Sequence, residues 1–202
     1  MAGRERQEVV VSSVYWRGGN MLAPVPVVLV SCGNQELGTN IITIAWAGTV
    51  CSDPAMVSIS VRKSRYSHRL IKETGEFVVN MTSVELLRAT DWCGVKSGKD
   101  VDKWEAMGLT AIASKTVGAP SIGESPVSLE CKVRQVIELG SHDMFIGEVT
   151  QVRADQRYIN ENSGALDMGK IGMICYAHGE YYAVGKKIGR FGWSVRKKKS
   201  RK

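Results

Sequence analysis

Residues 40–68 constrain the fold of this chain more than any other stretch, because two strand patterns follow one another there. Residues 41–50 are rich in Ile, Thr and Trp, which are common in strands. Residues 55–61 alternate between apolar side chains at the odd positions and Met or Ser at the even positions. The Cys-Ser-Asp-Pro sequence at residues 51–54 is typical of a turn. We therefore predict two strands joined by a tight turn, with an apolar face on the second strand.

A cluster of cations and hydroxyls follows this strand pair. Residues 62–68 read Arg-Lys-Ser-Arg-Tyr-Ser-His, and a helix is predicted over residues 64–73, ended by Gly75. The free N–H groups at a helix N-terminus attract anions, and nearby cationic side chains strengthen that attraction. The cluster therefore predicts a site for an anion such as a phosphate.

Strand patterns continue along the rest of the chain. Residues 76–81 read as a strand, and a capping-box pattern at residues 82–85 predicts the start of a second helix. Residues 126–139 form a long alternating strand, which a turn at residues 140–143 joins to a strand over residues 144–152. Several strands with hairpin turns and few helices predict a closed or nearly closed antiparallel barrel.

Neither an internal repeat nor a clear linker divides the 202 residues, so residues 1–195 are predicted to form a single domain. The net charge is +7, but residues 196–202 hold six of the 27 Lys and Arg. The remainder carries 21 basic residues (27 less 6) against 20 acidic ones, so its charge is nearly balanced. We interpret residues 196–202 as a disordered basic tail, and we do not expect this protein to bind nucleic acid.

Cysteine usage and hydropathy bear on the compartment. The five cysteines are odd in number and widely spaced, and none forms a Cys-x-x-Cys pair. With no N-terminal signal peptide, this pattern favours reduced thiols in a cytoplasm. The longest apolar run, residues 21–30, contains two prolines and is too short to span a bilayer, so we expect no membrane association.

Motifs for other chemistries are absent or weak. The sequence contains neither G-x-x-x-x-G-K-[ST] nor G-x-G-x-x-G after a strand. Cys175 and His178 have the spacing of a metal pair, but no second pair lies near them in sequence, so we predict no metal. No Cys/His pair identifies a catalytic residue. Cys51, the thiol nearest in sequence to the predicted site, is interpreted as a small buried hydrophobe.

Several short motifs carry a family resemblance. In order they are Pro-Val-Val-Leu-Val at 26–30, Asn-Ile-Ile-Thr at 40–43, Ala45-Trp46, Asp53-Pro54, Ser-Arg-Tyr-Ser at 64–67, Gly-Glu-Phe-Val-Val-Asn at 75–80, Asp-Lys-Trp at 102–104, His-Asp-Met-Phe-Ile-Gly-Glu at 142–148, Tyr181-Tyr182 and Ile-Gly-Arg-Phe-Gly at 188–192. Their order and spacing over residues 24–192 resemble the flavin reductase-like proteins with an FMN-binding split barrel, most closely the flavoredoxin branch. The resemblance implies a mainly β fold with peripheral helices, built as a six-stranded antiparallel Greek-key split barrel.

The resemblance also implies which residues hold FMN. They are Asn40, Thr43 and Trp46 near the flavin ring and ribityl chain, Ser60, Arg62 and Ser67 toward the ribityl and phosphate end, Lys103 as a phosphate cation, and His142 and Tyr176 closing the site from the same subunit or a second one. Taken singly, the residues have ordinary interpretations. Trp46 would be a core residue, Ser67 a hydroxyl bonded to its own helix, and Lys103 a surface lysine.

Two functions follow from the resemblance. The first is an FMN-binding flavoprotein acting in electron transfer, which would exchange electrons with a redox partner protein or a small electron acceptor. The alternative is an NAD(P)H-dependent flavin reductase, for which Lys186, Lys187 and Arg190 are the remaining candidate anion site. In either case the resemblance implies a homodimer.

Overall fold

The computed structural model describes residues 12–196, and its centre is a seven-stranded antiparallel sheet. The twelve strands are β1 Val25–Pro26, β2 Val28–Asn34, β3 Gly38–Ile44, β4 Ala47–Ser52, β5 Ala55–Arg62, β6 Glu76–Met81, β7 Ala111–Ile112, β8 Ser121–Ile122, β9 Val127–Leu139, β10 His142–Ala154, β11 Ile174–Ala177 and β12 Glu180–Ala183. The α-helices are α1 Tyr66–Thr74, α2 Leu87–Val95 and α3 Lys103–Met107. Short 3-10 turns cover Val84–Leu86, Gln156–Tyr158 and Trp193–Val195.

The large sheet runs in the order β3-β2-β6-β9-β10-β5-β4, so β3 and β4 lie at its two edges. These two strands are consecutive in the chain and are separated only by Ala45 and Trp46. The chain therefore passes directly from one edge of the sheet to the other, where the backbone N–H of Ser60 donates to the carbonyl of Trp46 at 2.9 Å. This passage closes the sheet into a barrel.

The predicted mainly β barrel is confirmed, with one difference in the number of strands. The sequence pattern predicts one strand over residues 41–50, whereas the structure breaks it at residues 45–46 into β3 and β4. The sheet therefore contains seven strands rather than the predicted six, because the bend at the barrel seam divides one predicted strand into β3 and β4. The predicted alternation of β5 is also observed, with Ile59 and Val61 fully buried.

Alternate side chains of the strands fill the inside of the barrel. Phe77 of β6 and Phe145 of β10 are fully buried there, and α1 adds Leu70 and Ile71. A Cβ atom at Gly147 would lie 2.6 Å from Cζ of Phe77, so β10 needs glycine where the Phe77 ring crosses it. This interior is the largest of the buried apolar clusters in the described residues, and its burial stabilises the fold.

A second apolar layer lies outside the barrel, where α2, α3 and the β7–β8 hairpin cover β2 and β3. Leu29 and Ile41 point outward into this layer and meet Leu86 and Cys93. The helix predicted to start at residues 82–85 is observed, as a 3-10 turn over Val84–Leu86 that continues into α2, but the predicted capping-box hydrogen bond is wrong. The hydroxyl of Thr82 instead donates to the carbonyl of Val27 at 2.6 Å.

A small sheet in the order β1-β11-β12 lies beside the barrel seam, and its register places Val25 opposite Tyr176. The flanking segments, residues 12–24 and 184–196, are largely exposed. They carry large apolar side chains that pack on little of their own chain, among them Tyr15, Trp16, Phe191 and Trp193. Of the predicted basic tail, residues 197–202 lie outside the described residues. No helix within residues 12–196 has the length and apolar character needed to cross a membrane.

Candidate functional site

Two adjoining cavities open on one side of the barrel, and they share Ile42 and Arg65 as lining residues. The first, here called the basic pocket, has a volume of about 240 Å³. It lies between the start of α1, the beginning of α3 and residues 93–99, and it includes Asn40, Ser67 and Lys103. The second, here called the aromatic pocket, has a volume of about 270 Å³ and includes Thr43, Trp46, Ser60, Arg62, His142 and Tyr176. All nine residues predicted to hold a ligand therefore line one or the other of these two adjoining cavities.

The basic pocket is built on the N-terminus of α1. Arg65 is the extended residue before the helix, and no side chain among the described residues caps the helix start. The N–H of His68 already donates to the carbonyl of Arg65 at 3.0 Å, so the N–H groups of Tyr66 and Ser67 are the ones that remain for an anion. Ser67 is buried, and its Oγ accepts a hydrogen bond from Nδ2 of Asn40 at 2.8 Å. That arrangement leaves the Ser67 hydroxyl proton available to a ligand.

Exposed cations surround the opening of the basic pocket. Arg65, Lys96 and Lys99 line it from two sides, and no acidic side chain in the described part of the chain joins them. The combination of free helix N–H groups, a hydroxyl and three cations favours a doubly charged anion over a neutral ligand. The sequence predicts the cations of residues 62–68 as part of an anion site, whereas Lys96 and Lys99 were not predicted. The signal for them was the Lys- and Gly-rich composition of residues 94–99.

Lys103 lines the basic pocket, but it is not the surface lysine of its ordinary interpretation. Its side chain is buried, and its Nζ donates to the carbonyl of Ile41 at 2.7 Å and to that of Cys93 at 2.8 Å. Burial lowers the pKa of Lys103 from its ordinary value. The ammonium group thus fastens β3 to the end of α2 beneath the basic pocket. At most one of its three N–H groups remains for an anion.

Gly98 explains how the loop after α2 reaches the pocket. A Cβ atom at this position would lie 2.1 Å from Oδ1 of Asn40, so the loop backbone rests directly on the Asn40 side chain. Only glycine allows so close an approach. The contact keeps Asn40 oriented toward Ser67, and it brings Lys96 and Lys99 to the opening.

The aromatic pocket combines two aromatic walls with polar side chains. Register pairs Arg62 with His142 across β5 and β10, so both point into the same cavity. Burial, and then the charge of Arg62, lowers the pKa of His142, which favours a neutral imidazole. Trp46 is 38% exposed, which contradicts its interpretation as a core residue. Its indole stands at the barrel seam, where the bend between β3 and β4 turns it toward the cavity.

Thr43 and Tyr176 complete the aromatic pocket from opposite sides. The hydroxyl of Thr43 donates to the carbonyl of Thr90 at 2.5 Å, so its oxygen can only accept from a ligand. Tyr176 enters from β11 and packs edge-on against Tyr181, with ring centroids 5.8 Å apart. Together the two cavities can bind a molecule with an anionic group at one end and a flat, hydrogen-bonding ring at the other.

The remaining sequence candidates lie elsewhere or have structural roles. Cys51 is only half-buried, and its thiol donates to the carbonyl of Asp53 at 3.4 Å, so its interpretation as a buried hydrophobe is wrong. Cys175 bonds across its own hairpin to the carbonyl of Tyr182, while His178 is exposed in the turn. Lys186, Lys187 and Arg190 are all exposed in the segment that follows β12. Within the part of the chain that the structure describes, no group of three His, Cys, Asp or Glu could hold a metal ion.

Comparisons with known proteins agree with this fold. The family model of the flavin reductase like domain matches residues 21–185. An uncharacterized protein of Archaeoglobus fulgidus is 37% identical over 131 residues, which cover 65% of this chain and 73% of that protein. The flavoredoxin structure of Desulfovibrio vulgaris (Miyazaki F) has a TM-score of 0.85 at 32% identity, covering 92% of this chain and 100% of that one.

A second flavoredoxin structure, from Methanosarcina acetivorans, has a TM-score of 0.83 at 26% identity, again covering 92% of this chain and 100% of that one. The family model spans the elements that form both pockets. The chain therefore belongs to the flavin reductase-like domain family.

Proposed function

We propose that this protein binds FMN and acts in electron transfer, as a flavoredoxin-like flavoprotein. The observation that carries the proposal is that the basic pocket adjoins the aromatic pocket, with Ile42 and Arg65 lining both. FMN has a phosphate dianion at one end and an isoalloxazine ring at the other, which are the two groups that the pockets suit. The 32% identity to a flavoredoxin supports the same assignment.

The residues divide naturally between the two ends of the cofactor. The N–H groups at the start of α1, the Ser67 hydroxyl and the cations Arg65, Lys96 and Lys99 would hold the phosphate. Ser60, Arg62 and His142 would hydrogen-bond to the ribityl chain and the polar ring edge, beside the walls formed by Trp46 and Tyr176. When bound, the flavin supplies the redox chemistry, and the protein supplies binding, orientation and electrostatics.

The first prediction concerns the identity of the cofactor. We expect FMN rather than FAD, because the basic pocket suits one phosphate group and the chain has no dinucleotide motif. Flavin released from the purified protein by denaturation, or retained after reconstitution, should co-elute with FMN on a column. Release of FAD, or failure to bind any flavin, would contradict the proposal.

The second prediction separates the electron carrier from the alternative, an NAD(P)H-dependent flavin reductase. A reductase must bind a dinucleotide through a second anion site, and the cations available for one are Lys186, Lys187 and Arg190 on an exposed segment. We therefore expect slow or no bleaching of the flavin band when the FMN-loaded protein is mixed anaerobically with NADH or NADPH. Dithionite should reduce it readily. Bleaching at roughly tens per second, followed by turnover with free flavin, would identify a reductase instead.

The third prediction concerns assembly. We propose a homodimer, because Trp46 borders a recess lined by Leu22 and Val25, and exposed aromatic residues flank the barrel at both ends of the chain. We also propose that the protein is cytoplasmic, which its five free cysteines support. Sedimentation of the FMN-loaded protein at micromolar concentration should show a dimer. Truncation after Val195 should leave both the dimer and the flavin content unchanged. A stable FMN-loaded monomer would refute this assembly.

A further inference from the structure

A buried hydrogen bond between His68 and Asp143 lies beneath the two pockets and takes no part in the binding described above. Nε2 of His68 lies 2.8 Å from Oδ2 of Asp143, and the two residues are 8% and 1% exposed. Nζ of Lys63 lies 3.2 Å from the other carboxylate oxygen of Asp143. The imidazole also packs edge-on against Phe145, with ring centroids 5.4 Å apart. A buried carboxylate is retained in a fold only when such partners stabilise it.

The pair joins the two elements that carry the two pockets. His68 follows Ser67 in the first turn of α1, and Asp143 follows His142 at the start of β10. In each element one residue lines a pocket while its neighbour is directed elsewhere. In β10 successive residues point to opposite faces of the strand, and in α1 successive residues point in different directions around the helix axis. One hydrogen bond between residues 75 positions apart therefore links the phosphate end of the site to the ring end.

The first turn of α1 depends on such links for its position. No side chain among residues 12–196 caps the start of this helix, and three residues connect β5 to it. Asn40 holds the turn from the β3 side through Ser67, and Asp143 holds it from the β10 side through His68. Strand β10 is paired along its length with β5 and β9, so it provides a rigid support for the second link.

We propose that the His68–Asp143 hydrogen bond is a latch that positions the helix N–H groups and the Ser67 hydroxyl for the phosphate of FMN. His68 is thus a positioning residue that acts through Ser67, and it does not itself touch the ligand. The inference rests on the proposed function, since it concerns the phosphate end of the same site. Burial opposes ionisation of Asp143, but His68 and then Lys63 outweigh it and lower the pKa, so the latch contains a carboxylate at neutral pH.

The experiment compares FMN with riboflavin, which lacks the phosphate, in binding to the apoprotein followed by flavin fluorescence. In His68→Leu the side chain keeps its apolar contact with Phe145 but cannot donate to Asp143. In His68→Gln an amide N–H can still donate. Glu73→Gln is the matched control, because it removes an exposed ion pair with Arg69 on the same helix.

We expect His68→Leu to lower the ratio of FMN affinity to riboflavin affinity by roughly fivefold or more. We expect His68→Gln and Glu73→Gln to stay within about twofold of the wild-type ratio, since neither loses the latch hydrogen bond. If His68→Leu weakens both ligands equally, or weakens neither, His68 has only a structural role and the inference is overturned.

Two further outcomes are decisive. If His68→Leu does not accumulate as a folded protein, the same ratio is measured for Asp143→Leu, which keeps the approximate shape of the side chain but cannot accept the hydrogen bond from His68. A wild-type ratio in that variant overturns the latch. If the wild-type protein binds no flavin, or binds riboflavin as tightly as FMN, the phosphate site itself is refuted and the proposed function fails with it. The failure of the latch and the failure of the function are thereby distinguished.

Discussion

Arg65→Glu and Lys99→Glu are each expected to weaken FMN binding by roughly 10-fold to 100-fold while changing riboflavin affinity by less than about threefold. Both side chains are exposed at the opening of the basic pocket, so their replacement leaves the core intact. Each variant removes a cation and introduces a charge that repels the phosphate. Titration of the apoprotein with both flavins, followed by flavin fluorescence, measures the effect.

Charge reversal at the other end of the same helix provides the control. Lys72→Glu makes the same change in net charge, but Lys72 is an exposed residue in the last turn of α1, away from the basic pocket. It should leave FMN affinity within about twofold of wild type. The effects of the two pocket variants should also shrink as salt is raised, because exposed charges are screened. Wild-type FMN affinity in both pocket variants would remove the basic pocket as the phosphate site.

Glu130→Gln is expected to lower the free energy of unfolding by about 2–4 kcal/mol at pH 7. The Glu130 side chain is buried and accepts the N–H groups of Lys115 and Thr116 and the Thr116 hydroxyl, at 2.7 to 3.0 Å. These bonds fasten the loop between β7 and β8 onto β9. The glutamine amide would present N–H donors where the loop also presents donors. Urea denaturation of both proteins gives the difference.

The effect of Glu130→Gln on the free energy of unfolding should also depend on pH. Burial opposes ionisation of Glu130, but the hydrogen bonds from Lys115 and Thr116 outweigh it and lower the pKa below its ordinary value. The contribution of this carboxylate is therefore fully present above the unfolded pKa, about 4.3, and is lost as pH falls through the folded pKa. The stability gap between wild type and Glu130→Gln should accordingly narrow below about pH 4.

A partly exposed carboxylate with a similar bonding pattern, Glu124, serves as the control for Glu130. Glu124 accepts the N–H of Thr110 at 3.0 and 3.2 Å, but it does so in contact with solvent. Glu124→Gln should therefore lower the free energy of unfolding by less than about 1 kcal/mol, with little dependence on pH. An equal loss in the two variants would show that burial of Glu130 adds nothing to its hydrogen bonds.

Local sequence patterns determined the strands and one helix end of this protein. β6 occupies the predicted residues 76–81, and α1 ends at Gly75, whose φ of 67° is the left-handed conformation that glycine favours. The alternation in β5 correctly predicted its buried face. These features could be predicted from the sequence because side-chain periodicity and turn preferences act between residues that are close in sequence. The cluster of cations and hydroxyls at residues 62–68 could be predicted because its members are close together in sequence.

The tertiary structure decided which of these local segments contact one another. The bend at residues 45–46 that closes the barrel turns Trp46 outward, although its surroundings in the sequence are apolar. Lys103 lies inward, where its ammonium group donates to two backbone carbonyls within 2.8 Å. Gly98 rests on Asn40, and His68 meets Asp143, across 58 and 75 positions of the chain. Such contacts depend on strand pairing between distant segments, which no periodicity within one segment encodes.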